Sequence, residues 1–230
     1  MIAFENVSKS FAGKRVLDSM TLDMADAGIT CLLGASGCGK STVLRVAARL
    51  IAPDAGEVFL PPDSCGVVFQ DTRLVPWLTT AENLALAVPA RRRRGEAAAL
   101  AARALAHVSL DMAEVGGLFP RELSGGMAQR AGIARALLRR PRFLMMDEPF
   151  ASLDAMTRAD LQIMLKALVD EHNMACLFVT HDMDEAFALA RRVVVMRGGK
   201  AAAVFGAGEF SGWERRESVR EHIVACLGRR

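Results

Sequence analysis

No stretch of this 230-residue sequence stays apolar for the roughly 20 residues that a membrane span needs. The opening residues, Met1-Ile2-Ala3-Phe4-Glu5-Asn6-Val7, turn polar too early for a secretory signal, so the chain reads as soluble and cytoplasmic. Cysteine is sparse and odd in number. Cys31, Cys38, Cys65, Cys176 and Cys226 show no C-x-x-C spacing, which suits reduced thiols and offers no zinc site. His107, His172, His181 and His222 likewise show no metal-ligand spacing. Charge of one sign is also scarce. A formal net charge of +3 argues against a strongly electrostatic nucleic-acid binder, so no nucleic-acid partner is expected. The local exception, Arg91-Arg92-Arg93-Arg94, reads as a solvated loop before a helix, or alternatively as a phosphate or lipid-headgroup contact.

What is present is a foldable apolar majority. Apolar types make up 52% of the chain, enough for one large domain with a substantial core. Near the start, Ile2, Phe4 and Val7 are placed to face one side, and Ala12-Gly13-Lys14-Arg15 reads as a hairpin turn before Val16-Leu17. Ile29 to Leu33 reads as a short buried strand, and Ser41 to Leu50 as a helix that Pro53-Asp54-Ala55-Gly56 breaks. A strand pair is expected at Glu57–Leu60 and Gly66–Phe69, on either side of Pro61-Pro62. Residues 81–138 have helical spacing throughout, interrupted at Gly116-Gly117 and Pro120, and read as an all-helical insertion. Strands return at Phe143–Met146, Cys176–Val179 and Val193–Met196, with a long helix from Met156 to Val169 between the first two. Strands alternating with helices imply a parallel sheet covered on both faces. The final thirty residues, with Trp213 and an Arg-rich tail, read as short helices.

Gly34-Ala35-Ser36-Gly37-Cys38-Gly39-Lys40-Ser41 matches the phosphate-binding pattern G-x-x-x-x-G-K-[ST] between a strand and a helix. Glycines let the backbone wrap a phosphate with its N–H groups turned inward, and the following helix, with Thr42 in its first turn, adds its positive end. Lys40 reaches the β- and γ-phosphates, and the Ser41 hydroxyl is a ligand for Mg²⁺. Phe143-Leu144-Met145-Met146-Asp147-Glu148 is an apolar strand ending in two acids. Set parallel and adjacent to the strand that feeds the loop, it would bring Asp147 to Mg²⁺ and Glu148 to the attacking water as a general base. Leu123-Ser124-Gly125-Gly126-Met127 reads as a Ser124 cap opening a helix that runs to Leu138, a second anion site. Two such helix starts invite a model in which ATP is held between them.

Taken in order, these motifs resemble the ATP-binding cassette (ABC) ATPases over nearly the whole chain. The resemblance implies an α/β P-loop NTPase fold. A mostly parallel core is expected from residues 1–80 and 139–205, with an N-terminal antiparallel β subdomain at its edge. A helical subdomain is expected at 81–138 and a short helical tail at 206–230. Phe11 resembles the aromatic that stacks on adenine. Gln70 resembles the glutamine that senses Mg²⁺ and the lytic water. Leu123 to Gly126 resembles the signature that closes on ATP bound to a second cassette. Ser152-Leu153-Asp154 resembles the D-loop, and His181 the switch histidine that steadies the γ-phosphate. Two cassettes then pair head to tail around two ATP molecules. Met127 stands where many cassettes carry Gln, a form similar to that in importers of nitrate and sulfonates. The stretch from Gly56 to Gln70 is shorter than usual in such importers, which predicts a trimmed antiparallel edge.

Leu74-Val75-Pro76-Trp77-Leu78-Thr79-Thr80-Ala81-Glu82-Asn83 resembles the text after the glutamine in importers of nitrate, taurine and alkanesulfonates, and Glu148 to Arg158 agrees with that group. In those proteins this region docks the membrane subunit. Pro76-Trp77 is then an apolar platform, or else Trp77 fills the core of the helical subdomain. The resemblance implies an importer's ATPase that works with integral-membrane permease subunits and a separate solute-binding protein, peripheral to the cytoplasmic face of the plasma membrane. The ATPase of an export system stays open as an alternative. A soluble non-transport cassette would show zinc-binding cysteines, a coiled-coil insertion or a second cassette, and none is present. The chain's extent predicts no appended regulatory domain.

Overall fold

Strand β3, Gly28–Gly34, has every residue buried, and so do β6, Phe143–Asp147, and β7, Ala175–Thr180. Uninterrupted burial of this kind belongs to parallel strands covered on both faces. A computed structural model describes residues 2–24, 26–61, 65–89 and 93–228 of the chain. Pro62, Arg91, Arg92, Arg229 and Arg230, and the side chains of Arg93 and Arg94, lie outside that description, so the expectations for the arginine run and the extreme tail lie there too.

The main sheet has the order β5-β6-β7-β3-β8-β9, with β5 at Cys65–Val68, β8 at Arg192–Arg197 and β9 at Lys200–Gly206. All its pairings are parallel except β8 with β9. A second, antiparallel sheet has the order β2-β1-β4, from β1 at Ile2–Phe11, β2 at Lys14–Met24 and β4 at Ala55–Phe59. The edge strand β4 is only five residues long. Ile2, Phe4 and Val7 share one buried face, although the step from Phe4 to Val7 breaks the period of two. A register shift there, with Asn6 at φ 52°, restores the alignment.

Side chains of the parallel strands alternate between two cores, as the pleat requires. Cys31, Leu33, Leu144, Met146, Cys176, Phe178, Val193 and Val195 point into one core. It is covered by α3 (Arg93–His107), α5 (Gly125–Leu137), α6 (Ala155–Glu171), α7 (Met183–Leu189) and α8 (Trp213–Leu227). Leu32, Met145, Leu177, Val179 and Val194 point the other way, against α1 (Lys40–Ala47) and the antiparallel sheet. Two further helices, α2 (Thr80–Ala87) and α4 (Met112–Val115), lie with α3 and α5 between β5 and β6. No helix among the described residues is long and apolar enough to cross a membrane.

Three expectations are corrected. Glu57–Leu60 and Gly66–Phe69 do not pair. Phe4 lies opposite Val58 in the antiparallel sheet, whereas Gly66 lies opposite Leu144 in the parallel one. The mostly exposed β4 suits a sheet edge, while β5 continues the buried sheet. Secondly, the strand carrying Asp147 is parallel to β3 but not adjacent to it, because β7 lies between them. Thirdly, the final thirty residues are not only short helices. Ala201 to Phe205 pair with β8 despite their alanines, and the tail holds a single 15-residue helix, α8. Strand pairing overrides helix propensity here because Gly198 and Gly199 turn the chain straight back on β8. Gly199, at φ 76°, has no room for a side chain, since a Cβ would stand 2.4 Å from the Val16 carbonyl oxygen.

Phe178 is fully buried in the centre of the larger core, 5.4 Å from the Phe150 ring centroid. Phe178→Ala is expected to lower stability by about 3–5 kcal/mol, measured as a shift of the urea unfolding midpoint.

Candidate functional site

Strand β3 ends in a loop at Gly34, and α1 begins at Lys40 behind Gly39, which caps it in the left-handed region at φ 107°. Lys40 has only 4% of its surface exposed. An ammonium removed from water needs partners, and the loop supplies them. Its Nζ donates to the Gly34 carbonyl at 2.8 Å and to the Ala35 carbonyl at 3.1 Å, and stands 3.8 Å from Oε1 of Glu148. Ser41, next in α1, donates its hydroxyl to Oδ1 of Asp147 at 2.9 Å. Gly37 adopts φ 78°, a conformation that favours glycine. Thr42 is the third residue of α1 and is half-buried.

Two strands away, Glu148 follows the end of β6 with φ 45°. A non-glycine residue held there costs on the order of 1–3 kcal/mol and persists only when its surroundings over-determine it. The Glu148 N–H donates to the Val179 carbonyl of β7 at 3.0 Å, which anchors the turn. His181, just past the end of β7, sets Nδ1 at 2.9 Å from Oε2 of Glu148. Strand β7, expected from the sequence but not between β3 and β6, is therefore what carries the histidine to the acid. A cavity of about 50 Å³ opens beside the pair, lined by Thr180, Asp182 and Arg158 among others, and is large enough for a water molecule.

His181 is braced from both sides. Thr180 donates its hydroxyl to Glu185 and accepts from the Asp182 N–H at 3.0 Å, while Asp182 caps α7. Burial pushes the Glu185 carboxyl above its ordinary range, against the hydrogen bond from Thr180. Arg158 donates to the Leu153 carbonyl at 2.9 Å and stands 3.5 Å from Asp182, joining the start of α6 to the residue after His181. Sequence reasoning gave Arg158 and Asp182 no role. Asp182 had a signal, the capping position before α7; the long-range partner of Arg158 had none.

The other predicted residues stand apart. Gln70 is exposed just beyond β5. Phe11 ends β1, is 45% exposed, and has the Lys9 ammonium 5.6 Å from its ring centroid. Ser124 caps α5, accepting from the Met127 N–H at 3.2 Å. Asp154 caps α6, and its hydrogen bonds from Thr157 hold its carboxyl below the usual range. Gly125 and Gly126 pack beside this second cap: a Cβ on Gly125 would lie 3.3 Å from Leu153, and one on Gly126 only 2.6 Å from Cγ2 of Thr157. Among the described residues, no hydrogen bond or ion pair joins Phe11, Gln70, Ser124 to Gly126 or Asp154 to the phosphate loop. Met127 is half-buried against the larger core.

Trp77 is 76% exposed, so it does not fill the core of the helical segment. Its loop is held from beneath by Asn83, a fully buried amide to which the sequence pattern assigns no role. The Asn83 side chain accepts from the Val75 N–H at 2.7 Å and donates towards the carbonyls of Val75, Leu78 and Thr79 at 3.0–3.1 Å. Thr79 and Glu82 close a capping box on α2.

A family model described as "ABC transporter" matches residues 17–151. The chain is 46% identical over 204 residues to the aliphatic sulfonates import ATP-binding protein SsuB 3 of Paraburkholderia xenovorans (strain LB400), covering 89% of this chain and 80% of that one. It is also similar to the dimeric structure of MJ0796, a bacterial ABC transporter cassette. That likeness has a TM-score of 0.77 and 29% identity, covering 93% of this chain and all of that one. The same cassette in a post-hydrolysis state bound to ADP and Pi matches with a TM-score of 0.76 and 28% identity over the same shares.

The contact between Gly126 and Thr157 couples α5 to α6. Gly126→Ala is expected to cost about 1–3 kcal/mol through overpacking, despite the better helix propensity of alanine. Adding Thr157→Ser, which removes Cγ2, restores most of that loss; a thermal-melt double-mutant cycle measures the coupling.

Proposed function

The chain belongs to the ABC transporter family, and on that premise we propose how its residues hydrolyse ATP to power a membrane importer of a small solute of the nitrate, sulfonate or taurine kind. It is an ATP-binding and ATP-hydrolysing subunit, peripheral to the membrane, that works as a cassette dimer with membrane permease partners. We assign it further to the cytoplasmic face and to a system with a separate solute-binding protein. The observation that carries the catalytic reading is the Glu148 carboxylate, held between His181 Nδ1 at 2.9 Å and the buried Lys40 ammonium at 3.8 Å.

Lys40 is pre-positioned by two loop carbonyls and offers its charge to the β- and γ-phosphate oxygens of ATP. Glu148 accepts a proton from the attacking water as its oxygen bonds to the γ-phosphorus. The bond from that phosphorus to the bridging oxygen breaks, leaving ADP and inorganic phosphate. Nδ1 of His181 donates to Glu148, because an ionised carboxylate can only accept, and this fixes the base in place beside the γ-phosphate. Ser41 and Asp147 fit Mg²⁺, since a hydroxyl and a carboxylate oxygen 2.9 Å apart are the hard donors it prefers. Gln70 is assigned as a further ligand that reports on the metal and the water. Mg²⁺ held there would supply neutralisation of charge on the phosphates.

The separation of Ser124, Gly125, Gly126 and Asp154 from the phosphate loop of their own chain supports a head-to-tail pair, in which these residues close on ATP held by the second copy. Exposed Phe11 takes the adenine ring. The domain reading follows: residues 81–138 act as a helical subdomain that carries the signature, against a core from 1–80 and 139–205, with 206–230 as a tail. Trp77, standing on a loop pinned by buried Asn83, is the apolar anchor for the permease.

Glu148→Gln is expected to lower ATP turnover by about 10²–10⁴-fold while ATP binding survives. Steady-state phosphate release alongside fluorescent-nucleotide binding measures both, and near wild-type turnover removes the base assignment. Affinity capture from detergent-solubilised native membranes tests the transport reading. Recovery of a polytopic permease supports it, and recovery of ribosomal or DNA-repair partners alone overturns it.

A further inference from the structure

Helices α3 and α6 end beside one another, away from every residue assigned to ATP. His107 is the last residue of α3, Glu171 is the last of α6, and His172 caps α6. One ligand atom from each of the three side chains lies within 4.8 Å of the others. We propose that His107, Glu171 and His172 form a binding site for a divalent transition-metal ion of borderline softness, such as Zn²⁺, which ties the ends of the two helices together.

The donor set carries the first part of the argument. Two imidazoles and one carboxylate are zinc ligands at about 2.0–2.2 Å, and a tetrahedral ion would draw their atoms to about 3.3 Å apart. All three side chains are exposed and free to close that gap by rotamer changes, and water completes the coordination. The second part is what these groups lack. Among the described residues, no hydrogen bond or ion pair engages the Glu171 carboxylate or either imidazole. The rings meet only edge to face, with centroids 4.9 Å apart. Thirdly, two helix C-termini converge here, and each turns its partial negative charge towards a cation.

Opposing charge is present. Both histidines line a cavity of about 670 Å³ together with Arg103, Arg140 and Arg142. On the other side, His107 and Glu171 line a smaller cavity with Asp160 and Arg130, and that arginine is already bonded to the Val108 carbonyl at 2.9 Å. The arginine field is screened by salt at an exposed rim, whereas coordination bonds are not. Modest rather than structural-zinc affinity follows. The sequence showed no metal spacing because the two histidines come from different helices, far apart in the chain.

The test is isothermal titration of untagged, nucleotide-free protein with zinc chloride, repeated on His107→Ala, His172→Ala, His181→Ala and His222→Ala. The expected result is one site in the wild type, weakened at least about tenfold in the first two variants and unchanged in the last two. Saturation at a hundredfold excess over Kd is expected to raise Tm by about 5–10 °C. Cobalt(II) in the same site is expected to give visible d–d bands without thiolate charge transfer, a readout that needs no variant. Absence of uptake by the wild type overturns the proposal, as does uptake that survives both His107→Ala and His172→Ala, uptake lost in His181→Ala, or a cobalt spectrum of cysteine ligation.

Discussion

The Lys40 ammonium is the constraint around which the site is arranged. Almost wholly withdrawn from water, it would be costly without partners. Its partners are two backbone carbonyls at the end of β3 and the nearby Glu148 carboxylate. Those carbonyls are available only because the strand stops at Gly34, where a side chain would collide with Cys38 and the Met196 carbonyl. The buried charge, the end of the strand and the shape of the loop are therefore one requirement. Phosphate oxygens would meet that requirement better than carbonyls do, which supports the proposed role of the loop in holding ATP.

The sheet gives this arrangement its rigidity. Strands β3, β6 and β7 are buried on both faces, and their alternate residues anchor two separate cores. Their ends therefore cannot drift, and two pairs form within hydrogen-bonding distance: Ser41 of α1 with Asp147 at the end of β6, and Glu148 beyond β6 with His181 beyond β7. The left-handed conformation of Glu148 is tolerated because β7 holds its N–H on one side and His181 its carboxylate on the other. Packing energy from the cores thus supports a strained residue just beyond the end of β6.

Other groups are exposed on rigid supports away from the phosphate loop. The Ser124 cap, the Asp154 cap and the glycines between them form a compact unit, with Gly126 against Thr157 leaving no space for a methyl group. Trp77 stands out from a loop that a buried amide holds, accepting from one N–H and donating its two hydrogens among three carbonyls. Exposed groups on rigid supports are what association requires, because ordering them on binding costs little.

Local chemistry was legible in the sequence: the phosphate loop, the acids at a strand end, the capping serine, the helical stretch and the buried strands are short patterns set by periods of 2.0 and 3.6 and by turn residues. Ile2, Phe4 and Val7 could even be assigned to one face, though not the backbone shift at Asn6 that makes it possible. Strand order was decided only by the tertiary structure, so β7 could not be seen to lie between β3 and β6, nor β4 and β5 to part into different sheets. The same holds for the alanines of β9, where pairing with β8 prevails over helix propensity, and for the meeting of His107 with His172. The sequence by itself determined where the glycine-rich loop, the helix caps and the acids at a strand end would fall, and which segments could be buried. Only packing decided which strand ends became neighbours, because a local pattern specifies a residue's own conformation and solvation but not the distant residue it will face.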